Sequence, residues 1–166
     1  MFDFRYKKHN YIYNNLVELS RNIFFYKDLK INDKLENRVI IIFTHLCIIL
    51  RSLKGSEKYK KTSQEIYDNI FLNIENNIRE LGHGDVTVNK KMKLFNQIFH
   101  DILTKLFNSK KDSEDIDVKI VVKHLNLAGK SDQITEKLLV YFSKYRDFCF
   151  DIIDKSMLKD IIKFRI

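Results

Sequence analysis

Four side chains that carry charge or exchange protons, Arg79, Glu80, His83 and Asp85, crowd around two glycines, Gly82 and Gly84. Glu80 and His83 have the Glu-x-x-His spacing that places two ligands on one helical face in di-metal bundle proteins. Such a site needs a second copy of the motif and further inward carboxylates. The sequence holds no second copy, and Gly82 ends the helix beneath His83, so neither a metal nor any other cofactor is expected. In the structural reading of this turn the glycines supply backbone freedom and Asp85 caps the next helix. Arg79 then bonds helix-end carbonyls or a carboxylate such as Asp68 or Glu75. The functional reading has the same turn presenting Arg79, Glu80, His83 and Asp85 to a client or partner, beside the basic side chains Lys90, Lys91 and Lys93. The two readings are compatible.

Other chemistry finds less support. His45, His100 and His124 have no serine or cysteine nucleophile at a recognisable spacing and read as buried or edge histidines. A phosphate-cradling glycine loop and a CxxC pair are both missing, so an enzyme is not expected. Cys47 and Cys149 lie in apolar stretches and read as buried thiols rather than a disulfide. Lysines cluster at Lys58, Lys60 and Lys61, at Lys90, Lys91 and Lys93, and at Lys105, Lys110 and Lys111, within a formal net charge of +8. That charge favours anionic partners such as RNA, an acidic protein or a lipid surface, the last at about 1 kcal/mol per well-placed lysine. Solvated helix surface is the plainer explanation of the same lysines.

The elements that position these residues are helical. The chain has no proline and 4 glycines in 166 residues, whereas sheet-rich domains need many turn residues. Ile12, Leu16, Leu19 and Ile23 recur at the helical period and predict a first helix over residues 10–22, followed by an apolar corner at Phe24, Phe25 and Tyr26. Asp33 with Glu36 offers a capping box for a second helix whose stripe is Leu35, Val39, Ile42, Leu46, Ile49 and Leu53. Ile40, Ile41, Cys47 and Ile48 lie off that stripe, so this helix is apolar nearly all round and should be central. Thr62 with Glu65 offers another capping box, for a helix reaching Leu81 with Ile66, Ile70, Ile74, Ile78 and Leu81 inward. Asp85 or Thr87 starts the fourth, with the stripe Val88, Met92, Phe95, Phe99, Leu103 and Leu106. A connector over residues 108–117, a short helix over 118–125, a long helix after Ser131 and a terminal segment over 157–166 complete the expectation. This is an all-α fold, a single domain over residues 1–166 with about six to seven helices.

The stretch QEIYDNIFLNIENNIRELGHGDVTVNKKMKLFNQIFHD, residues 64–101, resembles the signature region of the ubiquinol-cytochrome c chaperone family. The shared features are Tyr67, Asp68 and Phe71, then Arg79, Glu80, Leu81, Gly82, Gly84 and Asp85, then the basic pair Lys90 and Lys91. Upstream, LVELSRNIFFY over residues 16–26 and Arg38 with residues 45–53 are similar to the family's first two helices, so the likeness covers residues 13–106. Ile23 stands where a proline is common, His83 where an aliphatic residue is usual and Asn89 where a glycine is frequent. Beyond residue 108 the resemblance fades, and no role is carried over to the C-terminal helices. It implies a chaperone for cytochrome b, the membrane-embedded subunit of respiratory complex III. Mitochondrial relatives work with a small co-chaperone and the ribosome. The expected mode is an apolar groove between helices with charged rims.

The alternative, resting on charge alone, is a basic helical RNA- or ribosome-binding module; DNA is not an expected partner. The first ten residues mix charges with aromatics and lack a secretory stretch. The greasiest window, residues 39–50, is shorter than the roughly 20 residues needed to span a bilayer. The expected location is the cytoplasm, at the inner face of a bacterial inner membrane, or the matrix side in an organelle.

Overall fold

The computed structural model describes residues 7–107, 114–155 and 157–165, and among these it contains seven α-helices and no strand. In chain order they are α1 (Asn10–Ser20), α2 (Ile23–Lys27), α3 (Leu35–Leu53), α4 (Lys60–Glu80), α5 (Asp85–Lys105), α6 (Lys119–His124) and α7 (Asp132–Asp154). Short 3-10 helices precede α4 (Glu57–Tyr59) and follow α7 (Leu158–Lys163). The terminal segment therefore takes the tighter form rather than an α-helix.

α3 is the axis of the fold and packs against α1, α4, α5, α6 and α7. Every residue from Val39 to Ile49 is buried, on the predicted stripe and off it. Its two broad faces each meet an aromatic cluster. Phe43 stacks on Phe71 of α4 at 5.1 Å and meets Phe99 of α5 edge-on at 5.4 Å. On the opposite side His45 packs edge-on against Phe142 and Tyr145 of α7, and Phe25 meets Tyr141 at 5.0 Å. Aromatic rings carry large apolar areas and prefer these offset and edge geometries, so two such clusters clamp α3 from both sides.

Several boundaries differ from expectation. The first helix stops at Ser20 because Asn22 begins a new one, its side chain accepting from the Phe24 amide at 2.9 Å. Ile23 consequently heads α2 and is exposed rather than buried. Neither predicted capping box forms. The α3 N-cap is Lys34, with no side-chain cap, and Asp33 instead accepts two bonds from Arg38 at 2.6 and 2.7 Å. Glu36 takes Lys91 of α5 as its partner. The α4 helix starts at Lys60, upstream of Thr62, and Glu65 bonds His9 at 3.0 Å. In each case a side-chain partner wins over an exposed backbone amide, near in sequence for Asp33 and distant for Glu36 and Glu65.

Of the predicted connector, residues 108–113 fall outside the described residues, with Lys110 and Lys111. Its far end is anchored: Ile116 is buried and pairs with Phe107 in an isolated antiparallel bridge.

Candidate functional site

Gly82 ends the α4 helix at φ +88°, the left-handed conformation expected of it, with its amide on the Arg79 carbonyl at 2.9 Å. Gly84 has an ordinary φ of −74° and serves as the α5 N-cap, so left-handed freedom is needed only at Gly82. Asp85 is the first residue of α5 rather than its cap, and its carboxylate takes a hydrogen bond from the Arg79 guanidinium. The same guanidinium donates to Glu75 at 2.8 Å. Glu75, one of the two carboxylates expected, is thus a partner of Arg79, while Asp68 accepts from Gln64. These bonds raise the Arg79 pKa further and tie the end of α4 to the start of α5.

The turn's surroundings divide the predicted site residues in two. Arg79, Asp85 and Lys91 are spent on internal ion pairs; Lys91 bonds Glu36 at 2.8 Å, which holds the Glu36 carboxyl below its ordinary pKa. Glu80, His83, Lys90 and Lys93 are exposed. Beside them, Leu81, Val86 and Leu94 are exposed apolar side chains, at 60%, 70% and 51%; Leu81, expected inward, lies at the C-cap beyond the last helical residue and turns to solvent. Val86, Lys90 and Leu94 follow at helical four-residue spacing, so they share one face of α5. The turn is a protruding surface, not a pocket.

The cleft lies elsewhere. A cavity of about 1040 Å³ opens between the end of α3, the start of α4 and the second half of α5. Leu50, Leu53, Tyr67, Phe99, Leu103 and Phe107 form its apolar lining, and Arg51, Lys54, Lys60 and His100 its basic edge. α4 and α5 run antiparallel, with Tyr67 of one bonded to Asn96 of the other at 3.1 Å. The turn and the cleft therefore occupy opposite ends of one hairpin. Gln64, at the cleft, and Arg79, at the turn, are separated by about 22 Å along the helix at its rise of about 1.5 Å per residue.

A model of the ubiquinol-cytochrome C chaperone family matches residues 27–164. The chain belongs to that family. Neither the comparison with curated proteins nor that with solved structures gives a match. The ubiquinol-cytochrome C chaperone match runs through α6 and α7, which the signature-based likeness had left out, while residues 13–26 of that likeness lie before it. The inclusion of α7 has a physical counterpart, since α7 supplies one of the two aromatic clamps on α3.

Most of the remaining reactive groups are committed to the core or its edge. Cys47 and Cys149 are free, buried thiols whose pKa values burial pushes up, which makes them poor nucleophiles. His45 bonds the Ile41 carbonyl and the Tyr141 hydroxyl inside the core, and His124 bonds Asp101 at 2.9 Å at its edge. His100 is exposed on the rim of the cleft. Among the described residues no three metal-ligating side chains come together, and no helix is long and apolar enough to cross a membrane.

A charged-rimmed groove is expected from the sequence, but its position is not. Leu103 was placed in the buried stripe of α5, yet Ile102 takes the fully buried position and Leu103 is 37% exposed inside the cleft. One available signal was Arg51, a charged residue near the end of an otherwise apolar helix, followed by Lys54 and Gly55.

Proposed function

We propose that this chain is a non-catalytic assembly chaperone for cytochrome b in the biogenesis of ubiquinol-cytochrome c reductase, respiratory complex III. The family match over residues 27–164 carries the reading. The structure adds a physical rationale for binding without turnover. The buried cysteines and His45 are consumed by packing, whereas apolar surface is offered to solvent at the signature turn and in the cleft. Exposed apolar groups rimmed by charge are what a binder of hydrophobic segments needs.

At the turn, Glu80, His83, Lys90 and Lys93 are the proposed direct contacts to client or partner. Arg79, Asp85 and Lys91 act by holding the turn in shape, Gly82 by its left-handed backbone and Gly84 as the N-cap position of α5. A small co-chaperone, the ribosome and an anionic membrane surface are further proposed partners, with the chain working at the inner face of a bacterial inner membrane or its matrix-side equivalent.

The test is deletion in the chain's own host, followed by native electrophoresis of complex III and a b-type haem spectrum of the membranes. The expected result is loss of both, restored by the wild-type chain and poorly by a Lys90→Glu/Lys93→Glu double variant that melts normally. Unchanged complex III in the deletion, with no cytochrome b retained on the tagged protein, would overturn the reading. Retention of RNA alone would favour the basic RNA-binding alternative, which the +8 charge supports.

A further inference from the structure

We infer that the cleft at the open end of the α4–α5 hairpin docks an amphipathic helix whose polar edges are acidic, and that it does so independently of the signature turn. The inference deepens the chaperone reading and rests on it for the existence of a partner helix. The chemistry of that helix follows from the cleft.

Its floor combines Tyr67, Phe99, Leu103 and Phe107, contributed by α4, α5 and the residues just after α5. A helix is about 10 Å across, and an apolar stripe of about 100° is enough to fill a furrow between two neighbours. Its edge is cationic. Arg51 lies over the Phe107 ring at 5.2 Å, and among the described residues no ion pair engages Arg51, Lys54 or Lys60. Among the described residues Glu57 is the one carboxylate lining the cleft. Lys60 carries the cationic edge onto the start of α4, where Ser63 and Gln64 also line the cleft. An uncharged apolar segment would leave these cations beside it without partners, and a basic one would be repelled. Glutamates flanking a leucine stripe satisfy both parts of the cleft.

The signature turn is about 22 Å away along α4, and its lysines belong to another surface. Reversing charge at one end should therefore leave the other end's binding intact.

The experiment uses the purified full chain and two labelled synthetic helices with the same leucine stripe, one flanked by glutamates and the other by lysines, followed by fluorescence anisotropy. The glutamate helix is expected to bind at least about tenfold tighter than the lysine helix, and to weaken as salt screens the edge. Lys54→Glu/Lys60→Glu should weaken it by a further tenfold or more at an unchanged melt, Leu103→Asp should weaken both helices, and Lys90→Glu/Lys93→Glu should change nothing. Equal affinity for the two helices, binding of neither, or equal sensitivity to the turn variant would overturn the inference. Displacement of the peptide by anionic lipid vesicles would also overturn it, giving the cleft to lipid. A chain that restores complex III in cells but ignores the glutamate helix would overturn this inference while leaving the chaperone reading standing.

Discussion

His45 is held on both ring nitrogens inside the core, with Nδ1 2.7 Å from the Ile41 carbonyl and Nε2 2.8 Å from the Tyr141 hydroxyl. A carbonyl only accepts, so Nδ1 carries the proton and the tyrosine hydroxyl donates to Nε2. Burial lowers the pKa of this neutral imidazole from its ordinary 6.5 to about 4. The unfolded chain thus takes up the proton first as pH falls. The stability is complete above about pH 6.5 and is lost on the way down to pH 4, by about 3 kcal/mol from this group. Urea midpoints across that window should fall more steeply for the wild type than for His45→Leu; parallel slopes would show that His45 is not the group responsible. Gly82 makes the second residue-scale prediction. A Cβ there would meet nothing within 4 Å, so the cost of Gly82→Val is backbone strain at φ +88° rather than a clash. The thermal melt should show about 1 kcal/mol or more of destabilisation. Gly84→Ser, at an N-cap with ordinary dihedrals, should instead gain about 0.3 kcal/mol by capping α5.

Among the elements, α3 has the largest stake in the core, and Phe43 is the ring it presents to α4 and α5. It touches Phe71, Phe95 and Phe99 at centroid distances of 5.1, 6.1 and 5.4 Å and is fully buried. Phe43→Ala should cost about 3–5 kcal/mol in a urea titration, a large part of the total stability of a typical domain. A loss near 1 kcal/mol would mean that α4 and α5 close the space. The central place of α3 was legible in the sequence because apolar residues on every side leave a helix no solvent-facing option. Helix ends were less legible. Asp33, Glu36 and Glu65 have the right spacing for local caps, but Arg38, Lys91 and His9 reach them from elsewhere, and Lys91 and His9 belong to other elements. The signature turn could be read in outline, with Gly82 and the Arg79–Glu75 pair as expected. The division of its charges into spent and free could not, because it depends on Glu36 approaching from α3. The position of the expected groove was not legible for a related reason: helical periodicity separates inward from outward faces, and Leu103 sits on the border between them.

The molecule as a whole raises the question of whether its two aromatic clusters make one cooperative unit. Phe43 and His45 point to opposite sides of the same α3 turn, one cluster reaching α4 and α5, the other α7 and Phe164. Because one helix is the shared wall, releasing either cluster exposes α3 along its length, and α3 cannot stay folded on half of its contacts. The chain should therefore open globally, as small single domains do, rather than shed the C-terminal helices first. Hydrogen exchange distinguishes the two cases, since amides that open only by global unfolding share one free energy. The slowest amides of α4 and of α7 should exchange with the same opening free energy in the wild type, and Phe43→Ala should lower both by the same about 3–5 kcal/mol although α7 lies on the far side of α3. If protection falls in α4 and α5 while α7 keeps its own, the C-terminal helices form a separate folding unit, and the place of α7 in the family match would then reflect something other than support of α3.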